Sequence, residues 1–230
     1  MPSSRETKRL PFTIECDPPF LTIRFEEPQD TLGWTLVKGG FSSARNFAWL
    51  EVSNRDLVLD VDPVEFIADR IRARGIPDAV AFLTSRDIRR HHSSSVAIED
   101  VQATCVATVG LSNGERIGER RMKPHALAGT INILLHASRR LSPHAFVEAV
   151  SIVAQARTSA LVDTDHLRTI PGHTGTGTDC IVIAAPDRGA PLSCVGLHTA
   201  MGEAIGAAVY RATRAGAEQW SVDAEKFLEA

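Results

Sequence analysis

Residues 170–179 (IPGHTGTGTD) hold three glycines and three threonines and end on an aspartate. Glycines permit positive φ and close backbone approach, so successive amide N–H groups can converge on an oxyanion or a phosphate. The threonine hydroxyls add donors, acceptors or a nucleophile, and Asp179 can orient a hydroxyl or act as a base. The same composition suits a plain sharp connector between helix and strand. Its extremity favours a site. Two nucleotide readings fail. Gly172 and Gly177 have Walker-like spacing, but Thr178–Asp179 stands where Lys-Ser/Thr is required, and a strand follows instead of a helix. A dinucleotide fingerprint fails because these glycines follow a helix and precede a strand.

A second candidate is 129–135 (GTINILL). Thr130 and Asn132 are two apart, so on a strand they share a face, while Ile131 and Ile133 share the other. A buried Asn there needs hydrogen-bond partners, either from a substrate or from a neighbouring loop. A third is 107–114 (ATVGLSNG), where Thr108 precedes a Ser112-Asn113-Gly114 turn. Read alone, Thr108, Thr84 and Asn46 are polar residues at strand ends, as ordinary caps are. His173 lies among the loop hydroxyls and is the histidine to test as a proton carrier. With neither H-E-x-x-H nor H-x-H, no metal site is expected. Cys180 opens an apolar run and reads as a packed thiol. The absence of G-x-S-x-G excludes a serine elbow.

Positioning these residues requires strands early and helices late. Residues 12–15 and 21–25 alternate like half-buried strands, and 34–38 and 46–52 are two further candidates. Their closeness in sequence favours antiparallel neighbours. Asp62, Pro63 and Glu65 form a helix start, and Gly75 and Pro77 a stop. Strands are expected at 79–83, 101–109, 130–135 and 180–185, with an exposed charged loop or hairpin end at 115–123. Ser142-Pro143 opens the longest helix, running to about Leu161 with a small-residue stripe. A last helix runs from about Thr199 to near Gly216, and the tail adds one or two amphipathic turns around Trp220 and Phe227. The expected fold is α/β or α+β: one layered domain over 1–230, with mixed, mostly antiparallel sheet packed by three to four helices.

The 230 residues are 43% hydrophobic and 23% charged, enough apolar content for a core. A net charge of −3 gives no electrostatic case for nucleic acid or anionic lipid as partner. No apolar run approaches a membrane span, and no export signal appears in the first residues. The four cysteines, Cys16, Cys105, Cys180 and Cys194, are far apart, so a disulfide framework is not expected and a cytoplasmic setting is.

Taken in order, these blocks resemble the adenosylcobinamide amidohydrolase family. They are Gly39–Gly40 with Asn46, then 81–84, 107–118, 129–135, 154–161 (AQARTSAL), 174–179 (TGTGTD) and 196–206. They span roughly 33 to 212, with 1–30 and 217–230 outside. The resemblance implies hydrolysis of the amide joining aminopropanol to the corrin ring, in prokaryotic corrinoid salvage. No cofactor is implied, because the corrinoid is the substrate; an oligomer is allowed. Where the family reads Glu-Ala-Lys, this chain has Gln155-Ala156-Arg157, so an acid becomes an amide and the cation is kept. A lost acid leaves two alternatives: a corrinoid-binding protein without activity, or an amidohydrolase for another amide.

Amide hydrolysis needs a nucleophile, an oxyanion site and a proton for the amine. Within the resemblance, the amides of 175–178 are expected to hold the oxyanion. Asp179 orients or activates a hydroxyl or water. Thr130 or Thr176 is the candidate hydroxyl, and His173 or water protonates the amine. Asn46, Thr84, Thr108, Asn132, Gln155, Gly175, Gly177 and Thr178 are expected to line the substrate site.

Overall fold

The computed structural model describes residues 10–53, 56, 61–119, 129–167 and 172–228, with side chains to residue 224. Residues 120–123 of the charged loop, Ile170 and Pro171 of the Gly/Thr run and the side chain of Phe227 lie outside the described residues. The chain begins with β1 (Phe12–Asp17) and β2 (Phe20–Gly33), an antiparallel pair. β2 also pairs antiparallel with β3 (Gly40–Glu51), but the register breaks between Arg24 and Gln29. A bulge of this kind bends a strand and raises its twist. The first half of β2 therefore serves one half of the sheet, and the second half pairs with β10 (Cys180–Pro186) in the other.

The order continues from β10 through β8 (Ile131–Ala137) and β6 (Val101–Val109) to β5 (His92–Ile98), and on the far side from β3 to β4 (Val80–Thr84). Only β3 with β4 and β8 with β10 run parallel among the described strands of this sheet. A parallel return needs a crossover. Helix α1 (Pro63–Ala73) supplies the first and α2 (Pro143–Asp163) the second.

The two halves of the bent sheet pack face to face. Leu21, Ile23, Phe25, Phe47, Trp49, Val80 and Phe82 from one half meet Val106, Leu134, Val182 and Ala184 from the other in one buried cluster. The alternate residues of each half face outward to helices, as the two-residue period of a strand demands. Ile133, Leu135, Ile181 and Ile183 pack under α2 and α3 (Ala200–Leu228). Ala48, Leu50 and Ala81 pack under Ile67 and Ile71 of α1. The result is a single four-layer domain, α1 over sheet over sheet over α2 and α3, matching the layered mixed-sheet expectation with three α-helices.

Local signals explain the helices. The Asp62 side chain accepts from the amides of Val64 and Glu65, and Pro63 occupies the first turn. Ser142 caps α2 by accepting from the amide of Ala145, with Pro143 next. α2 is long and apolar enough to cross a membrane by composition. In this fold its Ala145, Phe146, Ala149, Ile152, Val153, Ala160 and Leu161 are buried against sheet and α3.

Two expectations are corrected. Residues 34–38 are not a strand: β2 ends at Gly33, where a Cβ would lie 2.7 Å from Val182 Cγ2, and the chain then turns away with Lys38 at φ +59°. The last helix does not stop near Gly216 but runs to Leu228 as α3. Gly216 is mid-helix because the helix crosses β6 there; a Cβ would lie 2.9 Å from Val109 Cβ. The charged loop opens with a short strand, β7 (Gly114–Glu115), that pairs with β9 (Gly175–Thr176) inside the Gly/Thr run.

His136 on β8 faces the inner core, 5.1 Å from the Phe25 ring and 6.1 Å from Phe12, centroid to centroid. Burial pushes its imidazole down to about 4. The folded protein holds it neutral, whereas the unfolded chain takes up a proton below about 6.5. The resulting stability is present above that pH and is lost as pH falls toward 4, up to about 3 kcal/mol. His136→Phe is expected to flatten this slope in urea denaturation measured across pH 4 to 7. An unchanged slope would assign the acid sensitivity elsewhere.

Candidate active site

The Gly/Thr run and the start of β8 meet at one end of the fold, where β8 and β10 begin side by side. Thr130 Oγ1 donates to the Thr178 carbonyl at 2.9 Å, and Thr178 Oγ1 returns a bond to the Gly129 carbonyl at 3.1 Å. Asn132 faces inward and donates from Nδ2 to the Leu83 carbonyl at 2.7 Å, tying β8 to the end of β4 across the sheet halves. Its buried side chain is thereby occupied by backbone.

Asp179 is the centre of this junction. Its Oδ1 accepts from the Ile131 amide at 3.2 Å, the Thr176 amide at 3.1 Å and the Thr176 hydroxyl. Its Oδ2 pairs with the Arg157 guanidinium from α2. Both side chains are nearly buried, with 9% of Asp179 and 16% of Arg157 exposed. Burial pushes the Asp179 carboxyl above its ordinary range, against the opposing pull of Arg157 and of the Thr176 hydroxyl and amide. A carboxylate so placed is a competent proton acceptor for the hydroxyl it touches.

Gly175 is required here for space. A Cβ on it would lie 2.7 Å from Asp179 Oδ2 and would drive into the Arg157 guanidinium. After Thr176, Gly177 and Thr178 form an exposed turn. Their amides donate to no protein acceptor among the described residues. An oxyanion site needs N–H groups without a protein acceptor, and these two directly follow a hydroxyl that donates to a carboxylate.

The two candidate hydroxyls differ in their partners. Thr176 donates to a carboxylate, whereas Thr130 donates to the Thr178 carbonyl and lies 3.3 Å from the amide oxygen of Asn132. Only Thr176 therefore has a base. His173 is buried, and its ring packs where a Cβ of Gly114, the register partner of Thr176, would stand. Cys180 donates to the Trp34 carbonyl at 3.3 Å, and burial together with Asp179 pushes its thiol up to about 11.

Of the other expected lining residues, Thr108 and Thr84 adjoin Asn132. Thr108 is fully buried on β6 opposite Asn132, with its hydroxyl unpartnered. Thr84 accepts from the Arg86 amide as a turn cap. Asn46 lies where the β2–β3 register shifts, between Ala44 of the inner cluster and Ala48 under α1, and its buried Oδ1 has no partner among the described residues. Gln155 is exposed and donates to Ser151 one turn back on α2, with no bond to Asp179 or Arg157 among the described residues.

Two residues of the junction were not among the expected site residues. Arg157 stood only as the retained cation of the helix block. Trp34, expected on a strand, instead donates from Nε1 to the Asp179 carbonyl at 2.6 Å. Among the described residues no three His, Cys, Asp or Glu side chains gather in a metal-binding cluster.

No curated protein matches the chain. Among solved structures, the crystal structure of the PH0078 protein from Pyrococcus horikoshii OT3 aligns at 12% identity, covering 86% of this chain and 76% of that one, with a TM-score of 0.40. The family model described as adenosylcobinamide amidohydrolase (CbiZ) matches residues 4–225. That span is wider than the ordered blocks, reaching into the β1–β2 hairpin and along most of α3. With nearly every residue of the fold and the whole Asp179 junction inside the match, the chain belongs to the adenosylcobinamide amidohydrolase family.

Proposed function

We propose that the protein hydrolyses the amide joining aminopropanol to the corrin ring of adenosylcobinamide. The products are adenosylcobyric acid and 1-aminopropan-2-ol, in cytoplasmic corrinoid salvage for cobalamin synthesis. One observation carries the reading: the Thr176 hydroxyl donates to a buried carboxylate, directly before two amides with no protein acceptor.

In the proposed reaction Thr176 Oγ1 bonds to the amide carbon while its proton passes to Asp179. The carbonyl oxygen takes negative charge and accepts from the Gly177 and Thr178 amides, each such donor being worth about 3 kcal/mol of barrier. The C–N bond then breaks, and Asp179 returns the proton to the departing nitrogen. This donation is assigned to Asp179, the group that touches the Thr176 hydroxyl. Water adds to the threonine ester, Asp179 takes its proton, and that proton restores the Thr176 hydroxyl as the acid leaves. Arg157 balances the buried carboxylate and keeps its second oxygen fixed.

The test is incubation of the purified protein with adenosylcobinamide and with a panel of simple acyl amides, followed by chromatography. Adenosylcobyric acid and aminopropanol are expected in equal amounts from adenosylcobinamide alone. Binding without release would identify a corrinoid-binding protein, and turnover of the simple amides would identify a different amidohydrolase.

A further inference from the structure

Trp34 exposes 47% of its surface, although a large aromatic side chain gains by burial. It is nevertheless held firmly. Its Nε1 donates to the Asp179 carbonyl at 2.6 Å, its carbonyl accepts from the Cys180 thiol at 3.3 Å, and its amide donates to the Ile181 carbonyl at 3.4 Å. The segment behind it is tied down as well. Thr35 Oγ1 donates to the Val37 carbonyl at 2.7 Å, Val37 bridges to Ala81 of β4, and a Cβ on Gly39 would meet the Thr35 carbonyl oxygen at 2.7 Å.

The hydrogen bond fixes the indole by its N–H edge beside the residue that bears the reacting carboxylate. A ring locked in this way loses little side-chain freedom when a ligand covers it, which is the property of an aromatic recognition anchor. The substrate of the proposed reaction needs such a surface. Its scissile amide hangs from a broad ring with an apolar face, so a wall for that ring must stand close to the cleaving groups. We propose that Trp34 is that wall: the flat face of the corrin stacks on its indole while the amide reaches Thr176 and Asp179. This assignment rests on the proposed function and adds a residue that determines which substrate is held.

Trp34→Ala and Trp34→Phe separate the ring from its N–H group. Equilibrium dialysis gives Kd for adenosylcobinamide without requiring turnover, and steady-state kinetics give KM and kcat. Trp34→Ala is expected to raise Kd and KM about 10-fold to 30-fold, and Trp34→Phe to keep Kd within about threefold of wild type. Equal weakening in both variants would assign Trp34 a supporting role through its bond to Asp179 and overturn the wall. Unchanged binding in Trp34→Ala would overturn it too. Ring-dependent binding by a protein that releases no aminopropanol would leave the wall standing and refute the hydrolase reading alone.

Discussion

Asp179→Asn is expected to lower turnover of adenosylcobinamide about a thousandfold or more, because it removes the base from Thr176. It is also expected to destabilise the fold. Arg157 is only 16% exposed and remains charged, so an amide opposite it leaves a buried charge unpaired. Breaking a buried pair from one side costs about 3–5 kcal/mol, which lowers Tm by roughly 10 °C in a chain of this size. Loss of activity in the single variant therefore has two causes. The double variant Asp179→Asn with Arg157→Met separates them, since it removes the orphaned charge while keeping an apolar stem of similar length. Its Tm, followed by circular dichroism, is expected to recover most of the loss while turnover stays absent. Recovery of both would reduce Asp179 to a structural role. In the proposed reaction the ionised carboxylate is the active form, and burial raises its pKa. Wild-type activity should thus fall off on acidification through a value above the ordinary 3.8 of an aspartate.

Thr176→Val is expected to be as damaging to turnover as Asp179→Asn but mild for stability. The hydroxyl donates to a carboxylate that retains the Thr176 amide, the Ile131 amide and Arg157 as partners. Thr130→Val is expected to act the other way round. Its hydroxyl joins β8 to the Thr178 carbonyl, so its loss should cost about 1 kcal/mol of stability and leave turnover within about tenfold of wild type. Initial rates and Tm for the pair decide the matter. Comparable rate losses in both variants would refute the assignment of the nucleophile to Thr176. Survival of full activity in Thr176→Val would point to water activated directly by Asp179.

The parts of the fold that could be read in the sequence are those set by local chemistry. Asp62-Pro63 and Ser142-Pro143 announce α1 and α2 because a cap and an N-terminal proline act within one turn. The apolar run from Cys180 announces β10 because a strand covered on both faces has no polar positions. The edge strand β5 stayed hidden: three consecutive serines (Ser93, Ser94, Ser95) carry no alternation of hydrophobicity, and its place follows from pairing with β6. Gly216 read as a stop because glycine has two meanings in a helix, and only the proximity of Val109 selects the second.

The junction followed the same division. The composition of 170–179 and the pair Thr130 and Asn132 marked two of its strands of chain, since each is unusual within a few residues. Arg157 and Trp34 were invisible as site residues because their contacts with Asp179 lie 22 and 145 positions away in the chain. No local pattern reports which face of a strand a distant loop will cover.

The most direct test is a crystal structure of the protein with adenosylcobyric acid bound. The freed carboxylate is expected within about 3 Å of the Gly177 and Thr178 amides and of Thr176 Oγ1, with the corrin face against the Trp34 indole. A corrinoid seated on another face of the molecule, its carboxylate remote from Asp179, would contradict the account.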